Sequence, residues 1–235
     1  MSDSAHPRYG TVDTGLVRRW LALGHDEDDA FLAVNLMRYR PLADYADGRQ
    51  TDLTGREADD AYTPLGPLAA VGGTILLAAD VAAQPTGGPT FHRVAIVRYP
   101  TRASFLAMQQ REDFQELHVH KDAGMEFTII FAATPPEEVG GGDPDGPLVL
   151  RLRRFAPGAV PGPDGDGVDE VMQLALDGVI VGDERVWDDA RIDRVPPGSL
   201  AALAETPGVE EQLVIVLATP MLDALALGAR STAAR

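Results

Sequence analysis

Three strand-forming segments occur twice in this chain, in the same order. Residues 34–39 (VNLMRY) line up with 150–155 (LRLRRF), 91–100 (FHRVAIVRYP) with 187–196 (WDDARIDRVP), and 127–135 (FTIIFAATP) with 212–220 (QLVIVLATP). Most of these segments carry the β-branched, aromatic or alternating apolar residues that suit a pleated, half-buried surface. Three matches in one order argue for an internal duplication, so the second half is expected to repeat the fold of the first. An acidic, glycine-rich stretch over 137–146 (EEVGGGDPDG) reads as the linker between them. The expected domains are 1–136 and 147–235.

The first half is the more legible. Asp13 caps a short helix over 14–23, and an apolar strand follows over 30–39. Residues 40–56 are polar and turn-rich, a surface excursion. Thr54-Gly-Arg-Glu57 resembles a capping box and opens a helix that turns Ala58, Tyr62, Leu65 and Leu68 inward. Pro64 and Pro67 interrupt it, and Gly72-Gly73 ends it. Strands at 74–81 and 91–99 precede one long helix over 101–123. Gly124 is its expected C′ residue, and a strand follows over 127–132. The order is β-α-β-β-α-β, the ferredoxin-like pattern. In the second half a weak helix over 168–176 and a short one over 199–206 complete the repeat, with nothing in place of His118 and His120.

The NLxRY strand, the RVAIVRYPTRASFLAM segment and the FQExHxHKDAGMExTI junction resemble the dimeric α+β barrel superfamily. Within it they are closest to the domain-of-unknown-function family numbered 1330. The likeness covers 30–135 well and 147–220 in outline. It implies an α+β chain of two tandem ferredoxin-like units pairing as an intramolecular dimeric α+β barrel, a pseudo-dimer where relatives are usually homodimers. A four-stranded sheet with helices on one face needs a partner for the other, which agrees. The superfamily includes cofactor-free monooxygenases, isomerase-like enzymes, heme enzymes and plain binding modules, so it favours a small-molecule ligand without choosing a reaction. Heme-degrading members use an Asn, a Trp and a His. Asn35 and His120 match loosely, whereas Trp20 and Trp187 lie elsewhere.

The formal charge of −16 and pI near 4.5 set the chain against nucleic acid or an anionic membrane. Without cysteine there is no disulfide framework, thiolate metal site or thiol nucleophile. No apolar run approaches about 18 residues and no basic n-region opens the chain, so a cytoplasmic protein is expected.

The candidate chemistry lies on the helix before Gly124. His118 and His120 form the one cluster able to titrate near neutrality. Glu116 and His120 stand four apart on one helical face, as a general acid–base with its orienting carboxylate requires. The plainer alternative is a histidine settled on the helix dipole beside a surface glutamate. His118 and His120 point about 200° apart on a helix, so they cannot share a metal ion, and no metal site is expected. Asn35 interrupts a buried strand and must be hydrogen-bonded, to backbone or to a ligand; its counterpart in the repeat is Arg151. Asn35, Arg38, Tyr62 and His118 are the expected substrate-binding set. A cofactor-independent enzyme on an apolar carbonyl or phenolic metabolite is the leading expectation. The alternatives are a non-catalytic binding or sensing module, and a heme- or divalent-metal-binding protein using His120 or His118.

Overall fold

The computed structural model describes residues 7–136, 146–159, 168–203 and 206–223, a mixed α+β chain dominated by antiparallel strands. The linker expected over 137–146 lies, Gly146 apart, outside the described residues. Among the described residues no helix is long and apolar enough to cross a membrane.

The elements run β1 (Thr11–Val12), α1 (Thr14–Leu21), β2 (Phe31–Tyr39), α2 (Gly55–Tyr62), α3 (Leu65–Ala70), β3 (Thr74–Thr86), β4 (Arg93–Tyr99), α4 (Arg102–Gln109), α5 (Glu112–Gly124) and β5 (Met125–Thr134). Then come β6 (Leu148–Phe155), β7 (Asp169–Gly182), β8 (Asp189–Arg194), α6 (Leu200–Leu203), β9 (Val209–Leu217) and β10 (Leu222–Asp223). The expected caps are in place: Asp13 Oδ1 accepts from the Gly15 and Leu16 N–H groups, and Thr54 with Glu57 forms a capping box on α2. The long helix expected over 101–123 is two. Gln110 and Arg111 tighten the end of α4 by donating to the Ala107 and Met108 carbonyls, and Arg111 then leaves helical geometry. Glu112 and Asp113 suit the new N-terminus, and the Arg111 guanidinium grips Asp113 at 2.8 and 2.9 Å.

The described residues of the C-terminal half repeat the first half's order of elements only in part. Residues 168–176, read as a helix, belong to β7. Val171, Met172 and Leu174 are buried and Gln173 and Ala175 exposed, an alternation of period two with one bulge near Val171. Three strands recur in both halves, β2 with β6, β4 with β8 and β5 with β9, and among the described residues, which leave out 160–167, the second half reads β-β-β-α-β.

The chain forms two compact units that do not follow the two sequence halves. Unit 1 holds the described residues up to Thr74, with Val97–Ala132 and Gly178–Arg185. Unit 2 holds Ile75–Ile96, the described residues of Ala133–Asp177, and those from Val186 onward.

In unit 1 the strand order is β1, the end of β7, β5, β2 and the end of β4, with Thr11 opposite Gly182. β2 is central and buried along nearly its whole length. Trp20, Phe31, Tyr99 and Phe105 form an aromatic core with centroids 5.2–6.0 Å apart. Asp28 caps α4 from 74 residues upstream, accepting from the Arg102 and Ala103 N–H groups at 2.7 and 2.9 Å. α2 and α5 meet at two glycines. A Cβ on Gly124 would lie 2.4 Å from the Gly55 carbonyl oxygen, and one on Gly55 equally close to that of Gly124. Gly124 is therefore the last helical residue and a point of close backbone approach. Its φ is not positive, so it is not the left-handed C′ expected. Residues 40–56 are not wholly surface either: Ala43 and Tyr45 are buried and cluster with Ala58 and Ala123.

In unit 2 the start of β4 is followed by β3, β9, β6, β8 and the start of β7, with β10 on β3. Its core is apolar around Val149, Val195, Leu203, Val214 and Val216. Across β6 and β8, Arg151 and Asp193 are fully buried at 2.7 Å, and Arg153 pairs with Asp189 at 2.5 Å.

Candidate functional site

The site is built by α5, β2, α2 and the segment before β1, all within unit 1. On α5, residues 114, 118 and 121 follow the i, i+4, i+7 spacing that shares one face. Phe114 and Lys121 are buried and His118 is half-buried.

Lys121 is 6% exposed, and it is the only lysine of the sequence; the other 19 basic side chains counted with it are arginines. Its Nζ donates to Asn35 Oδ1 at 3.3 Å. The ammonium position is 5.2 Å from the Tyr62 ring centroid and 5.7 Å from that of Tyr9. Lys121 forms no ion pair among the described residues. Asn35 donates its own Nδ2–H to the Ala33 carbonyl at 3.2 Å, which fixes the amide with its oxygen toward the amine. This satisfies the polar residue that interrupts β2.

Beside the amine, the Tyr9 hydroxyl and His118 Nε2 hydrogen-bond at 2.8 Å. The His118 ring stacks on Phe114 at 5.3 Å and meets Tyr62 edge-on at 6.2 Å. Tyr9 is held in place by its neighbour. Arg8 donates through its backbone N–H and Nε to Asp122 at 2.8 and 2.5 Å, and through Nη1 to Asp44 at 2.9 Å. The buried Tyr39 hydroxyl donates to Asp59 at 2.7 Å.

Burial sets the proton affinities. It lowers that of Lys121, opposed by the charge of Asp59. It lowers His118 to a pKa of about 4, with the Lys121 charge acting in the same direction. It raises both Tyr9 and Tyr62 above the ordinary phenol. A neutral imidazole bonded to a phenol thus sits next to an amine that gives up its proton more readily than a surface lysine does. These are groups for moving protons in a place largely sheltered from water.

Of the expected residues, the structure brings together Asn35, Tyr62 and His118. His120 lies on another side of α5, where its Nδ1 bonds the Tyr45 hydroxyl at 2.7 Å and Arg49 lies 3.7 Å over the Tyr45 ring. Burial, then the Arg49 charge, lowers its proton affinity. Glu116 is exposed, and no described contact links it to His120. Arg38 is also apart, pairing at the surface with Glu126 on β5 at 3.0 Å. His118 and His120 have different partners, Tyr9 and Tyr45, and among the described residues no group of three His, Asp or Glu side chains is placed to hold a metal ion.

Lys121 and Tyr9 were not among the expected residues. A lone lysine in helical register with Phe114 and His118 is a readable signal for the first. Tyr9 reaches α5 only through tertiary structure and carries no local one.

No family model matches the chain, so the narrower likeness to family 1330 finds no such support, and no curated protein matches it. Among solved structures, it is similar to a protein of unknown function from Rhodopseudomonas palustris, at 22% identity over 55% of this chain and 98% of that one, with a TM-score of 0.48. It is also similar to the chlorite dismutase of Candidatus Nitrospira defluvii, at 9% identity over 92% of this chain and 99% of that one, with a TM-score of 0.46. Likenesses at this level assign no chemistry to the present chain.

Proposed function

We propose that the chain is a cofactor-independent enzyme that moves protons on a small, mostly apolar carbonyl or phenolic molecule, with Lys121 as its acid–base group. The observation that carries this reading is a buried amine whose hydrogen-bond partner is a neutral carboxamide. A carboxylate partner would hold the proton on nitrogen; Asn35 orients the amine in either protonation state. Neutral Lys121 takes a proton from the carbon beside the carbonyl, and the resulting ammonium rests on Asn35 Oδ1 and the faces of Tyr62 and Tyr9. Half-buried Tyr62 supplies a hydroxyl for the substrate oxygen. The Tyr9–His118 pair returns a proton to that oxygen or accepts one from it. A heme or metal ligated through His118 Nε2 would first have to displace Tyr9. His120 and Glu116 have no part in the step.

The test is exchange of α-hydrogens in deuterated buffer, followed by NMR across a panel of apolar ketones, aldehydes and phenols. Lys121→Met should slow exchange by about 100-fold or more, while His120→Ala and Glu116→Gln stay near the parent. Equal exchange in Lys121→Met would refute the assignment.

A further inference from the structure

We infer that Lys121 is also a nucleophile, forming a Schiff base with apolar aldehydes and ketones. This rests on the acid–base reading of the same amine and adds a covalent bond to it.

Three observations carry the inference. The chain places a positive charge at twenty side chains and uses arginine at every one except position 121. A guanidinium stays protonated and is a poor nucleophile, whereas an amine is both tunable and nucleophilic. Elsewhere unit 2 buries cations as arginines paired to carboxylates, as in Arg151 with Asp193 and Arg153 with Asp189. At 121 the buried group is an amine and its partner an amide. Second, the amine lies between two aromatic faces, 5.2 and 5.7 Å away, which exclude the water that hydrolyses an imine. Third, a linked proton donor and acceptor, Tyr9 with His118, stands on the same side of α5.

The step balances without an oxidant or reductant. The nitrogen lone pair adds to the carbonyl carbon, forming the C–N bond, and the carbonyl π pair moves to oxygen, which takes a proton from the Tyr9–His118 pair. The nitrogen then gives up its proton. The resulting carbinolamine hydroxyl is protonated and leaves as water while the C=N bond forms. One carbonyl compound and one amine give one imine and one water. Buried Asn35, bonded to Nζ, acts as a positioning residue throughout.

The experiment treats the full chain with 3-phenylpropanal and cyanoborohydride, which reduces an imine to a stable secondary amine, and maps the adduct by peptide mass spectrometry. With a single lysine, the α-amine at the chain start is the one competing site. The expected product is one adduct on the peptide containing Lys121, heavier by the aldehyde less its oxygen atom. It should form about tenfold or more faster than on Nα-acetyl-lysine, because burial favours the neutral, nucleophilic amine. Asn35→Ala should slow trapping with the circular dichroism spectrum unchanged, and Lys121→Arg should abolish it. Modification of Lys121 only after unfolding in urea would overturn the inference. The same aldehyde carries α-hydrogens, so its exchange separates the two readings. Exchange without trapping leaves Lys121 a base alone, and the absence of both defeats base and nucleophile together.

Discussion

His118 offers the sharpest quantitative test of the site's electrostatics. Folded, its pKa falls from 6.5 to about 4 because the ring is largely buried against Phe114 and Tyr62 and faces the Lys121 charge. Asp122 opposes the shift, and Tyr9 and Tyr62 are the other titratable neighbours. Because the folded pKa lies below the unfolded one, the unfolded chain binds the proton first as pH falls. His118 costs nothing above about pH 7; stability drains away through the window between the two values and then levels off. The full loss is about 3 kcal/mol, and at about pH 5 it is already about 2 kcal/mol. The assay is urea denaturation at about pH 7.5 and pH 5 for the parent and His118→Gln, whose amide still bonds Tyr9 but does not titrate. The parent should lose about 2 kcal/mol more than the variant between the two conditions. Contributions common to the two chains cancel from the difference. Parallel losses would refute the buried, neutral His118, and with it the proton relay built on it.

Other perturbations probe the frame and the amine. Lys121→Met removes a buried charge and keeps the volume, so thermal or urea denaturation should show stability unchanged or raised by about 1–3 kcal/mol even as exchange activity is lost. A lysine retained for structure would give the opposite sign. Gly124→Ala drives a methyl group to 2.4 Å from the Gly55 carbonyl oxygen and should lower stability by about 2 kcal/mol or more, since neither backbone can retreat without parting α2 from α5. Asp28→Ala orphans the two N–H groups at the start of α4 and should cost about 1 kcal/mol in the same measurement, with Asp28→Asn losing less.

Where local chemistry decides structure, the sequence was sufficient. Asp13 and the Thr54–Glu57 box start their helices because the signals act within three residues. The three recurring segments are strands in both halves because their composition suits a sheet in either setting. The failures are of another kind. Residues 168–176 carry a short apolar pattern that a helix or a strand can bury, and pairing of β7 with β8 settles it as strand. The break at Gln110–Arg111 has no glycine or proline to announce it. Gly124 is a glycine for a tertiary reason, the passage of Gly55, and not for the local turn that its position after a helix suggests.

The site shows the same division, and its logic follows from the 100° step of α5. Helix spacing alone separates His118 from His120, and the structure honours that. Helix spacing also makes Glu116 and His120 neighbours, yet Tyr45, brought from a segment read as surface, takes the imidazole instead. A pairing across 75 residues outcompetes one across four because Tyr45 is anchored by its own burial against Ala58 and Ala123, whereas Glu116 is exposed to water. One residue along the helix, the same step turns Lys121 inward, where Asn35 on a central strand already holds its amide aligned by the Ala33 carbonyl. Strand β2 thus presents the acceptor, helix α5 the amine and histidine, and the segment before β1 the phenol. Three elements far apart in sequence converge on one nitrogen, so α5 alone shows a lone lysine in line with Phe114 and His118 and only the fold shows what it meets.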